Sequence, residues 1–148
     1  MARGVPKNQL DLLSRVKLFS ACSQKELREV AKLGTPLDFP AGKELTRQGE
    51  RGAEAFLVLD GKASCYIDGR QVATYGSGDF FGEMALLDQG PRTATVKTES
   101  PVKAIVFSAQ EFGGLLAEAP PIARKMLVVL AQRLREAESS DTEKAAAH

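Results

Sequence analysis

Phe81-Gly82-Glu83-Met84-Ala85-Leu86-Leu87-Asp88-Gln89-Gly90-Pro91-Arg92-Thr93-Ala94-Thr95-Val96 is the stretch around which this 148-residue chain is organised. Gly82 permits close approach of the backbone to a ligand. Glu83 to Leu87 is about one turn of good helix formers, whose first N–H groups have no partner within the helix. Such donors suit a phosphate. After the turn signal Gln89-Gly90-Pro91, the run Arg92 to Lys97 reads as a strand, with Ala94 and Val96 on its apolar face. Arg92 shares that parity. A guanidinium aimed at a core is costly to desolvate unless an anion meets it, so its place argues for a buried carboxylate or phosphate.

This run resembles the phosphate-binding cassette of the cyclic nucleotide-binding domain family. The resemblance rests on the Gly82-Glu83 pair, the ten-residue separation of Gly82 from Arg92, the intervening Ala85-Leu86-Leu87 and the following Thr93-Ala94. It implies that Glu83 accepts a hydrogen bond from the ribose hydroxyl and that Arg92 pairs with the cyclic phosphate. It also implies that Phe81, Gly82, Met84, Ala85 and Ala94 line the ligand site beside them. A hydroxyl at Thr93 can touch the phosphate or a guanine amino group in the family. By strand parity, however, Thr93 stands opposite Arg92 unless the chain bends at Pro91. Family members often close over the base with the last helix, which makes Arg133 and Leu134 candidate lid contacts.

Each of these residues also has a plainer reading. Arg92 could make a structural ion pair, with Glu83 itself among the partners, and Glu83 could simply complement the dipole of its short helix. Arg133 and Arg135 read as the solvated basic end of a helix, and Leu134 as core or dimer seam.

The rest of the chain fits one domain with one core. Its 20 basic and 19 acidic side chains nearly cancel, so no global field favours nucleic acid or an anionic membrane, and an anion site must be local. Cys22 and Cys65 match neither zinc nor disulfide spacing and suit a reducing cytoplasm. Nothing at the N-terminus reads as a signal peptide, and no apolar run approaches the roughly 20 residues of a bilayer span.

The expected fold is α+β: an eight-stranded jelly-roll barrel with N-terminal helices, a short cassette helix and two C-terminal helices. A helical lead-in over residues 8–34 contains a short amphipathic helix (8–17) and a second helix with the capping box Ser23-Gln24-Lys25-Glu26, stopped by Gly34. Residues 36–107 form the barrel. Nine of the thirteen glycines lie between Gly42 and Gly90, punctuating the strands Leu37–Phe39, Glu44–Gln48, Ala55–Leu59, Ala63–Ile67, Val72–Tyr75, Arg92–Thr98 and Val102–Phe107. Asp68-Gly69 suits a tight hairpin. C-terminal helices over 108–138 open with a second capping box, Ser108-Ala109-Gln110-Glu111, break at Pro120-Pro121 and carry Ile122, Met126, Val129 and Leu130 on an apolar face. Residues 139–148 read as a flexible tail, and its His148, the only histidine, is assigned no catalysis.

These features predict a non-enzymatic receptor without a cofactor, its ligand 3′,5′-cyclic AMP and, second to it, cyclic GMP. The C-terminal helices would signal occupancy, and the last would be a candidate homodimer seam. Binding to DNA or membrane by this chain is not expected. The alternatives are a cupin-type metal enzyme, for which the histidines are too few, and a degenerate dimerisation module, against which the intact Gly82, Glu83 and Arg92 count.

Overall fold

The structure, a computed structural model, describes the backbone of residues 7–146 and the side chains of residues 8–139. His148 lies outside the described residues. The chain opens with α1 (Lys7–Ser14), a 3-10 turn (Lys17–Phe19) and α2 (Gln24–Ala31). Ser23 starts α2 with a complete capping box: its side chain accepts from the Glu26 amide at 3.2 Å, and its own amide donates to the Glu26 carboxylate at 2.8 Å. Five strands follow: β1 (Thr35–Phe39), β2 (Glu44–Thr46), β3 (Glu54–Asp60), β4 (Ala63–Ile67) and β5 (Arg70–Tyr75). Next come β6 (Phe80–Phe81), the short α3 (Met84–Leu87), β7 (Thr95–Thr98), β8 (Val102–Ser108), α4 (Ala109–Glu118) and α5 (Pro120–Ala146).

The strands pair antiparallel in two four-stranded sheets, ordered β1-β8-β3-β6 and β2-β7-β4-β5, so the expected barrel is an open sandwich. One sheet ends at β6, which is only two residues long because the chain leaves the ladder at Gly82, where φ is +80°. Between β4 and β5 the hairpin is as tight as Asp68-Gly69 predicts. Both residues have positive φ (53° and 78°), and Ile67 pairs directly with Arg70.

Alternation explains the two continuous apolar strands. Phe56 and Val58 of β3, with Val102, Ala104 and Val106 of β8, fill the space between the sheets. Their neighbours Ala55, Leu57, Ile105 and Phe107 face the other way, into a second core formed with the helices. There Leu27, Val30, Phe112, Ile122 and Met126 complete the packing. The helices are thereby fixed to the same sheet that carries the cassette at its edge.

Several boundaries differ from the sequence reading, among them the end of α1 at Ser14 where residue 17 was expected and of β2 at Thr46 where Gln48 was expected. The strand predicted from Arg92 begins at Thr95, because Pro91 and Arg92 are drawn into a separate pairing with residues 49–52. Helix α2 ends at Ala31, three residues before Gly34. Helix α5 continues to Ala146, past the expected boundary at 138, with the good helix formers Glu143, Lys144, Ala145 and Ala146 in its last turn. Among the described residues, no helix is long and apolar enough to cross a membrane.

Candidate functional site

An open cleft of about 300 Å³ lies beside the cassette. Phe81, Gly82, Glu83, Met84, Ala85, Arg92, Thr93 and Ala94, the eight residues singled out in the cassette, all line it. Sequence separation is bridged by a backbone clasp. The Arg92 amide donates to the Glu50 carbonyl at 2.7 Å, the Gly49 amide donates to the Arg92 carbonyl at 2.9 Å, and Arg51 bridges Pro91. Arg92 thus reaches the cleft from a clasped loop, and strand parity is not what aims it inward.

Its guanidinium donates from Nη2 to the Glu54 carbonyl at 2.7 Å. Among the described residues Arg92 makes no ion pair, and the Glu83 partner considered from sequence is taken by another residue. Burial pushes the Arg92 pKa below its usual value, an effect that the negative charge of Glu54 partly offsets. A half-buried cation is therefore held by a carbonyl dipole, with no carboxylate in contact. It faces a cleft in which an anion would fit.

In α3 the first turn bond runs from the Ala85 amide to the Gly82 carbonyl at 3.1 Å, so the preceding amides are not consumed by the helix. Gly82 is the residue that allows this approach: a Cβ there would stand 2.9 Å from the Glu54 carbonyl oxygen, on a backbone that side chains rarely adopt. Glu83 makes no capping bond to α3. Its carboxylate instead meets Arg133 of α5, with Nη1 and Oε1 3.6 Å apart. The solvated basic end predicted for α5 thus has one half-buried member. Leu134 is 61% exposed, and it lines no part of this cleft.

Sequence reasoning missed the apolar wall. Cys65 and Tyr75 line the cleft from β4 and β5, and Tyr75 stacks on Phe81 with ring centroids 4.8 Å apart. Burial, followed by a hydrogen bond with Cys65, pushes the Tyr75 pKa up to about 12. An aromatic pair ending two strands is a weak signal in one dimension, since its meaning depends on the pairing of those strands. Together the elements give an anion-accepting pole at Arg92 and the cassette, a carboxylate acceptor at Glu83 and an apolar wall beyond.

Comparisons with known proteins identify the family. The family model described as the cyclic nucleotide-binding domain matches residues 36–119, and the chain belongs to this family. It is 31% identical over 130 residues to a CRP-like cAMP-activated global transcriptional regulator of Mycobacterium tuberculosis, covering 84% of this chain and 58% of the regulator. It is 33% identical over 115 residues to a cAMP-dependent protein kinase regulatory subunit of Emericella nidulans, covering 76% of this chain and 28% of the subunit. Among solved structures, the N-terminal domain of a transcriptional regulator from Streptomyces coelicolor superposes with a TM-score of 0.79 at 29% identity, covering 88% of this chain and 94% of that one. The chain thus spans little more than half of the mycobacterial relative. The family is one of regulatory binding domains, and this member is a regulatory domain and not an enzyme.

Proposed function

We propose that the cleft binds a 3′,5′-cyclic nucleotide, cyclic AMP in preference to cyclic GMP, and that occupancy is passed to a partner through the C-terminal helices. One observation carries this reading: the half-buried Arg92 guanidinium lines a ligand-sized cleft and, among the described residues, has no carboxylate in contact. A cyclic phosphate supplies the missing charge, and charge-assisted bonds to guanidinium and backbone amides hold it. The ribose hydroxyl donates to Glu83. The base then lies toward Tyr75, Cys65 and Phe81. The names of the mycobacterial and fungal relatives favour adenine, and Thr93 is the residue able to reward guanine instead.

Transmission follows from the packing. Leu86 of the cassette turn belongs to the same core as Phe112 of α4 and Ile122 and Met126 of α5. A ligand that draws the turn toward Arg92 displaces Leu86, and the helices follow. Glu83 adds a polar connection, through Arg133, to α5. Leu134 reaches the base only if α5 moves. Residues 1–138 form the sensing unit in this reading, and α5 runs on past it to Ala146. The exposed Leu127 and Val128 provide the homodimer seam, and the setting is cytoplasmic. Neither DNA nor membrane is contacted by this chain itself, and no metal or cofactor takes part.

A thermal-shift comparison of cyclic AMP, cyclic GMP, 5′-AMP and 5′-GMP tests the reading, because a ligand that prefers the native state raises its stability. Cyclic AMP should give the largest shift and 5′-AMP little. Equal shifts with all four would reduce the site to a general nucleotide or phosphate binder.

A further inference from the structure

Gly52 lies 40 positions before Arg92 in the sequence, yet the two meet in the fold. The clasp brings them together, with the Gly52 amide donating to the Gly90 carbonyl at 3.3 Å. Gly52 is buried. A Cβ placed on it would stand 2.0 Å from Arg92 Nε, 2.4 Å from Cζ and 2.6 Å from Cδ. Those separations lie far inside van der Waals contact, so the guanidinium occupies the very volume that a side chain at position 52 would take. On the far side, a Cβ on Gly82 would stand 2.9 Å from Arg92 Nη1. The head of Arg92 therefore sits in a slot with a bare backbone on two sides, and the Glu54 carbonyl fixes its depth.

The two glycines differ in what they require. Gly82 has a φ of +80°, so any side chain there strains the backbone as well as the slot. Gly52 has no such φ, so its backbone lies outside the left-handed region that excludes side chains. The atoms in the way belong to a long side chain able to swing out. At position 52 the slot can therefore be closed without disturbing the fold.

We infer that Gly52 is a positioning residue for the anion site: its missing side chain leaves the slot that aims the Arg92 guanidinium at the phosphate of the bound nucleotide. The inference rests on the receptor reading for its ligand, although the slot itself does not. Alanine at position 52 expels the guanidinium from the slot and breaks its bond to the Glu54 carbonyl. The cation remains on the protein, but its direction is lost, and directional bonding is what distinguishes arginine as a phosphate ligand.

Gly52→Ala in the full chain tests this with two readouts, cyclic AMP affinity by calorimetry and the Nε–H resonance of Arg92, assigned by its disappearance in Arg92→Lys. In the wild type the resonance should be protected from solvent exchange. In Gly52→Ala the protection should vanish while the backbone amide spectrum beyond the clasp is preserved, and affinity should fall at least tenfold. In the Arg92→Lys background Gly52→Ala should change affinity less than twofold, because lysine has no planar head to seat. Loss of Nε–H protection without cyclic AMP binding by the wild type would sink the receptor reading and leave the slot standing. A Gly52→Ala protein with protected Nε–H and unchanged affinity overturns the inference. An equal loss of affinity in both backgrounds does so as well, since it would mean damage independent of the guanidinium.

Discussion

Arg133 of the last helix stands 3.6 Å from Glu83 of the cassette, Nη1 to Oε1, joining two elements separated by fifty positions in the chain. The contact runs to one carboxylate oxygen, Oε1. Its side chains are about one third and one quarter exposed, so the contact is a partly screened ion pair worth about 0.2–1 kcal/mol.

Arg133→Ala should consequently weaken cyclic AMP binding by no more than about fivefold, the equivalent of that energy range. The loss should fall on ribose recognition, because Arg133 contacts Glu83, the carboxylate proposed to read the hydroxyl. Affinity for 2′-deoxy-cyclic AMP should stay within twofold of wild type. An equal loss with both ligands would place Arg133 on the phosphate or base instead.

Shortening the chain after Leu130 should leave the fold intact, since among the described residues the buried ones of α5, Ile122, Met126 and Val129, all precede the cut. Bound nucleotide should nevertheless leave faster, with the association rate little changed, as expected when a retaining element is lost. Stopped-flow displacement of a fluorescent cyclic AMP analogue measures both rates. Identical release from the full and shortened chains would remove α5 as a lid.

Glu26 links the start of α2 to α5. Its carboxylate is held below the ordinary value of 4.5, chiefly by the hydrogen bond from Lys125 and next by the Ser23 amide. A carboxylate whose pKa is depressed by folding stabilises the native state above its unfolded value, and that contribution disappears as pH falls through the folded value. Wild type should therefore be more stable than Glu26→Gln at neutral pH, with the difference shrinking below pH 4.5. Denaturant titrations at pH 7 and across the acid range test this. Parallel stability curves for the two proteins would show that the bridge contributes nothing.

How much of this was legible in one dimension depended on how local each feature is. The cassette could be read because its glycine, helix turn, proline and arginine follow one another within a dozen residues. Ser23 and Ser108 marked helix starts because capping is a three-residue affair, and each accepts from the amide three positions on. Strand β6 was missed: Phe80 faces the helical core and Phe81 the space between the sheets, so two adjacent apolar residues show no alternation to detect. Arg92 was expected inward for the wrong reason, since its direction comes from the clasp with residues 49–52. Neither the seat at Gly52 nor the Arg133–Glu83 pair has any local signature. Each requires distant segments to be folded together before it exists.

Calorimetric titration of cyclic AMP into wild type and Arg92→Ala, with folding checked by circular dichroism, tests the central claim most directly. Removing one member of a buried charged pair costs on the order of 3–5 kcal/mol, and a half-buried guanidinium should lie toward the lower end. Wild type should bind one nucleotide per chain, and Arg92→Ala should lose at least a hundredfold in affinity while remaining folded. Equal affinity in the two folded proteins would contradict the account, because the phosphate would then be held without the cation that, among the described residues, lines the cleft.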